Sequence, residues 1–322
     1  MPRSHGHKKI PILFLTCIFV GVAAASPDPR LLSLVPPGAQ LVAGFNAPSI
    51  QGQPDNFVLM THDNTVDLAD FFALTGADGT RNIHQIVLVA VASNDGQPKE
   101  HSLLASGHFD QPHVFRSAAD GGAAVTNYRR IPVLEIQPFA RERGVFKDVR
   151  WLAVLDSSVL VFGSIASTRL ELDRYLAHSQ ADESLLRRLA HLRSKDQTWC
   201  LLSASVRTLS SFARDQEIHG VLAELNPELA ELSEFADEFE FGMHYGRHVE
   251  FEYEVMMSSL QRDQSGQAPP LTSSHQSPHS AALLPNLNIA EDADALHGVI
   301  EVSVSRYKEW LAQIKHTRPP LD

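Results

Sequence analysis

Polar and apolar positions alternate most cleanly between residues 239 and 255. Phe239, Phe241, Met243 and Tyr245 alternate with Glu240, Gly242 and His244; Val249, Phe251, Tyr253 and Val255 alternate with Glu250, Glu252 and Glu254. A period of two belongs to a strand with one buried face. Cross-strand neighbours share a face, so in an antiparallel pair the two apolar sets must oppose each other. A two-residue loop would put Met243 opposite Glu250. A loop of three or five residues, such as Gly246-Arg247-His248, keeps the sets together and is the expected connection.

The same reading places strands at Leu41–Phe45, Ile83–Ala92, Leu103–Phe109 and Thr198–Ala204, and at about 296–304. Val125 to Ile136 reads as extended. Trp151 to Phe162 is apolar on both faces except at Asp156-Ser157-Ser158, which predicts a hairpin of two buried strands. Helices are expected at about 65–75, from Asp110-Gln111-Pro112 to Gly121-Gly122, from Thr168 to Leu176, at 183–193, at 206–225 and 228–237, and from Tyr307 to about Lys315. Thr168-Arg169-Leu170-Glu171 has the form of a capping box. Residues 261–281 are rich in Gln, Ser, Pro and His and lack periodicity, so they read as a flexible linker. The fold class that follows is α+β: antiparallel sheets with helices packed on one face. Residues 26–195 and 196–322 form two halves that look alike in outline.

The N-terminus changes the picture. Arg3, Lys8 and Lys9 precede a run from Ile10 to Ala25 that is almost wholly apolar and sixteen residues long. That is short of the roughly 20 needed to cross a bilayer as a helix. It ends in Ala23-Ala24-Ala25 before Ser26-Pro27, small residues that suit signal-peptidase cleavage after Ala25. Residues 1–25 therefore read as a signal peptide, and the mature chain as periplasmic or secreted, with no transmembrane segment. Cys17 lies mid-run after bulky residues, which disfavours a lipidated cysteine.

Charge narrows the partners. The whole chain carries −11; the leader holds three basic residues and no acid, so the remainder carries −14. That balance argues against nucleic acid and against anionic membrane surfaces. Once the leader is removed Cys200 is the one cysteine left, so an intramolecular disulfide is excluded. It lies in the apolar run Thr198-Trp199-Cys200-Leu201-Leu202 and reads as a buried, inert thiol.

Few residues carry candidate chemistry. His108, Asp110 and His113 could ligate a metal, yet Asp110 stands where a helix N-cap belongs and His113 at its target. His244, His248 and Glu250 flank a turn and could approach a surface Zn²⁺. His275 and His279 fall in the linker. Ser305-Arg306-Tyr307-Lys308 matches S-x-x-K, but no K-T-G or S-D-N accompanies it, and Ser305 reads as an N-cap. No catalytic, cofactor or metal residue is assigned. The row Glu240, Glu250, Glu252 and Glu254 is the most distinctive surface feature: a solvated face, or a docking face for a basic partner.

Three stretches carry a resemblance: Leu34-Val35-Pro36-Pro37-Gly38-Ala39 leading into Leu41-Val42-Ala43, Ala105-Ser106-Gly107-His108-Phe109-Asp110 before a helix, and the Val154–Gly163 hairpin with its following helix. Together they resemble a group of uncharacterised bacterial exported α+β proteins. The resemblance implies export and fold class. It departs at 261–281, where the look-alikes carry a helix.

The expected function is a non-enzymatic, exported binding or envelope-assembly module; the sequence does not name its partner, and another envelope protein is one candidate. The competing reading is a hydrolase whose site is assembled from scattered residues. The leader gives a direct check: N-terminal sequencing of the exported protein should begin at Ser26, and retention of Met1 in a membrane fraction would refute the assignment.

Overall fold

The central strands are apolar on both sides, and this decides how many layers the fold has. In the computed structural model, residues 27–46, 83–92, 98–137, 149–190, 192, 198–203, 236–257, 288–291 and 295–309 are described. They contain twelve strands: β1 (Ala39–Asn46), β2 (Ile83–Ala92), β3 (Pro98–Gly107), β4 (Ala124–Tyr128), β5 (Ile131–Ile136), β6 (Arg150–Asp156), β7 (Val159–Ser164), β8 (Thr198–Ser203), β9 (Ala236–Tyr245), β10 (His248–Met257), β11 (Asn288–Glu291) and β12 (Ala295–Ser303). All belong to one sheet, in the order β11-β12-β10-β9-β8-β1-β2-β3-β7-β6-β5-β4. Every neighbouring pair is antiparallel.

Among the described residues five helices cover it. Asp28 caps α1 (Pro29–Leu34), accepting from the Arg30 N–H, with Pro29 in the first turn. Asp110 caps α2 (Gln111–Asp120), accepting from the His113 N–H at 3.2 Å, and the helix ends at Gly121. Ser164 caps α3 (Ile165–Leu176), and Asp182 caps α4 (Glu183–Leu189). Ser303 accepts from the Arg306 N–H at 3.3 Å at the start of α5 (304–309). Among the described residues no helix is long and apolar enough to cross a membrane.

The helices lie on both faces, which corrects the expectation of one. Ala43, Phe45, Ile86, Leu88, Leu103, Leu160 and Phe162 form one core with Val114 and Ala118 of α2. The alternate residues Val42, Val87, Val89, Leu104, Val159, Val161, Trp199 and Leu201 form another with Leu31, Leu32 and Leu34 of α1, joined by Tyr175 of α3 and Leu185 of α4. A strand buried on both faces shows no period of two, which is why β2 and β7 read as continuous apolar runs.

Several boundaries move. Val125–Ile136 is not one extended segment but the β4–β5 hairpin, with Tyr128 opposite Ile131. α3 begins three residues before Thr168, because Ser164 and not Thr168 is its cap. Ala236 and Asp237, expected to end a helix, begin β9. Ser303, not Ser305, caps α5. The hairpin loop is as expected: Tyr245 faces Val249 across Gly246-Arg247-His248, Met243 faces Phe251, and Phe241 faces Tyr253. The helices expected at 65–75 and 206–225 and the linker at 261–281 lie outside the described residues.

Residues 26–195 and 196–322, expected as two halves, supply β1 and β8, which pair at the middle of the sheet. Read outward from that pair, one side runs β1-β2-β3-β7-β6 and the other β8-β9-β10-β12-β11. Both β7 and β12 lead through a capping serine into a helix. The likeness is of strand order and not of packing. α3 covers the Trp199 face, whereas Tyr307 of α5 packs on Phe251 at 5.7 Å, on the Phe45 face. Trp199 faces Gly44 on β1 and Gly242 on β9. A side chain at residue 44 would collide with the Trp199 ring.

Candidate functional site

Beyond β8 the face that carries Trp199 changes character. Leu201 of β8 faces Glu240 of β9, and from there the sheet is acidic. Glu240 faces Glu254 on β10, which faces His297 on β12. Gly242 faces Glu252, which faces Val299; His244 faces Glu250, which faces Glu301. Carboxylates and imidazoles thus form a grid three strands wide. Like charges directly opposite destabilise a sheet. His297 Nε2 lies 3.7 Å from Glu254 Oε1, and His248 Nδ1 lies 3.5 Å from Glu301 Oε1.

One cation already sits on this face. Arg188, from the last turn of α4, lies over the junction of β8 and β9. Its Nε donates to Glu240 Oε1 at 2.7 Å and approaches Glu238 at 3.6 Å. Its other nitrogens donate to the Ser203 hydroxyl and to the carbonyls of Leu202 and Phe239. Arg188 and Glu240 are both buried. A charge buried this way needs its partner: removing one side of such a pair typically costs about 3–5 kcal/mol. Next to it, Leu192, Glu240, Glu252, Tyr253, Glu254 and His297 line a concavity of about 320 Å³.

The other candidates do not converge. Asp110 is occupied as the cap of α2, with His108 and His113 exposed at the surface. Among the described residues no group of three or more His, Cys, Asp or Glu is placed to hold a metal ion. His244 and Glu250 are cross-strand neighbours, and His248 turns to Glu301 instead. Ser305 and Lys308 are exposed on α5, with Tyr307 buried between them. Cys200 points to the Phe45 face, and burial pushes its thiol up to about 12, against a lesser opposite pull from Arg188. It stays a thiol at neutral pH, with no nucleophilic character. His275 and His279 lie outside the described residues.

Two titratable groups, half-buried His101 and wholly buried Glu171, escaped the sequence reading. Burial, and after it the Arg150 guanidinium, pushes His101 down to about 4, so its imidazole is neutral. Glu171 is wholly buried, accepts from the Ser102 hydroxyl, and is pushed up to about 8 by desolvation, with Ser102 pulling the other way. It is a neutral acid beneath α3. Ser167, Thr168, Glu171 and Leu172 share the inner stripe of that helix, so three polar residues on an apolar stripe were the available signal. The capping-box pattern hid it.

Glu171 has a measurable consequence. An unfolded chain ionises this carboxyl near its ordinary 4.5, the folded protein near 8. Between those values the native state holds a proton that the unfolded state has lost, so stability falls as pH rises through the window and levels off above it. Glu171→Gln should remove that slope and leave the fold intact. Urea denaturation of both proteins at pH 5 and pH 8.5 checks it; a wild-type slope that persists in Glu171→Gln would show that other groups cause it.

No family model matches the chain, and no curated protein matches it. Among solved structures it is similar to crystal form I of the treponemal protein TP0453, with a TM-score of 0.51 and 12% sequence identity, over 90% of this chain and 98% of that one. At that identity the likeness is one of fold.

Proposed function

We propose that this protein is an exported, non-enzymatic binding or envelope-assembly module, and that the acidic face of β9, β10 and β12 receives a cationic group of a partner protein. The observation that carries the reading is Arg188. The face already seats one guanidinium, on Glu240, a serine hydroxyl and two carbonyls. Glu252, Glu254 and His297 extend the same chemistry into the adjoining concavity. A guanidinium or ammonium entering there meets carboxylates placed by the strand register, so less side-chain freedom is lost on binding. The leader, Ala23-Ala24-Ala25-Ser26, supports export.

The hydrolase alternative has less to rest on. Its chemistry needs titratable groups with strongly shifted pKa gathered in one cleft, and the strongly shifted groups lie apart. Glu171 lies under α3 on the Trp199 face, whereas His101 and Cys200 lie on the other. We also infer that the matching strand order of the two sides reflects an ancient duplication, with the acidic face arising in one half.

The test uses the mature protein and acetylated tetra-arginine amide as probe. Hydrogen-exchange mass spectrometry should show protection in 236–257 and 295–303. Glu252→Gln/Glu254→Gln should weaken binding about tenfold or more. Asp120→Asn/Glu183→Gln, which removes the same charge from the exposed surface elsewhere, should leave it nearly unchanged. Equal weakening by both double variants would reduce the effect to net charge and sink the proposal.

A further inference from the structure

At the other end of the sheet the charge is reversed. Among the described residues β4 is the terminal strand, paired with β5 alone. Arg129 and Arg130 form the two-residue turn between them, with φ of 47° and 76°. Two left-handed residues make the turn that Asn-Gly fills without strain, and side chains bearing a Cβ are disfavoured there. The sequence nevertheless places two arginines in it.

Tyr128 and Asp173 hold Arg129 in place. Arg129 lies 5.5 Å from the centroid of the Tyr128 ring and pairs with Asp173 at 3.0 Å. Arg169, from α3, lies 4.9 Å from the Trp151 ring and 5.9 Å from that of Tyr128. The Tyr128 hydroxyl donates to Asp173 at 2.9 Å. Three arginines therefore stand on the hairpin turn and the adjoining helix, with Asp173 paired to Arg129. Glu135 stands opposite Ala124, at the far end of the hairpin, where Gln137 donates to it. β4 itself turns Ala124, Val125 and Asn127 to solvent, and Val125 is 58% exposed.

We propose that β4 is a strand-addition site for an extended acidic segment of a partner protein. An added strand pairs with the outer N–H and C=O groups of β4, and its side chains set the specificity. Guanidiniums stacked on aromatic rings are pre-organised for carboxylates. A chain of net charge −11 repels an acidic segment over most of its surface. That draws such a segment to the arginine cluster. The site is distinct from the acidic face, which lies across β8 and β1 on the far side of the sheet, and it does not depend on that reading. The opposite role for these arginines is protection: charge at a sheet edge blocks self-association.

The two roles predict different results with the mature protein. The probe is an amidated octapeptide alternating Glu and Val with an N-terminal fluorescent label, and its Lys–Val counterpart, labelled alike, is the control. Fluorescence anisotropy should show that the acidic peptide binds, weakens as salt is raised, and outcompetes the basic one. Hydrogen exchange should show new protection at 124–128. Arg129→Asn/Arg130→Gly gives the turn its preferred residues, so the hairpin keeps its shape, and binding should fall about tenfold or more. Equal binding of both peptides, protection confined to other strands, or undiminished binding by the variant would overturn the proposal. So would sedimentation showing that the variant self-associates while wild type ignores the acidic peptide, which is the result the protective role requires.

Discussion

Everything in this fold hangs on a tryptophan that needs neighbours without side chains. Trp199 sits on β8, the strand that joins one side of the sheet to the other, and its cross-strand partners are Gly44 and Gly242. The ring occupies the space over Gly44 that a Cβ would fill. It is almost wholly buried, in one core with Leu31, Leu32, Val42 and Leu201. Through that core α1 is fixed over the joint, and Arg174 of α3 ties α1 in turn by donating to the Ser33 carbonyl. The same device recurs nearby: Tyr253 covers Gly298, and Gly163 lets β3 approach β7, where a Cβ would come within 2.7 Å of Ser102. Aromatic cover over a strand glycine recovers packing that the glycine alone would forfeit.

The joint also decides where chemistry can sit. On the Trp199 face the sheet is apolar under α1, α3 and α4, then acidic from Glu240 onward. Arg188 stands on the border, reaching from α4 across β8 to β9. The apolar part is closed by helices and the acidic part carries the concavity. Function, on this account, follows from a change in side-chain chemistry along one continuous surface, since no cleft between packed units is needed to make it.

Much of this was legible where local rules act alone. The alternation in 239–255 fixed the faces and required an odd loop, because any other register sets glutamates against phenylalanines. Asp110 before Gln111-Pro112 announced its helix, since its carboxylate satisfies a backbone N–H that the helix leaves open. The acidic row was visible as the polar partner of that alternation. The rest depends on tertiary placement. Nothing local says that β1 pairs with β8 across more than 150 residues of chain. Nothing local in Leu185-Leu186-Arg187-Arg188 marks Arg188 as the buried partner of Glu240. The β4–β5 turn was missed because Arg129-Arg130 carries none of the usual turn residues. Glu171 was read as half of a capping box because its spacing from Thr168 fits one; Ser164 supplies the cap instead and turns both residues inward.

The central claim is that the β1–β8 pair, locked by Trp199, makes the two sides one cooperative unit. Native-state hydrogen exchange under increasing urea tests it most directly. The account predicts that amides in 39–46, 83–92, 198–203 and 239–255 converge on a single opening free energy equal to that of global unfolding. A separate, lower-energy opening of 239–255 while 39–46 and 83–92 remain protected would contradict it.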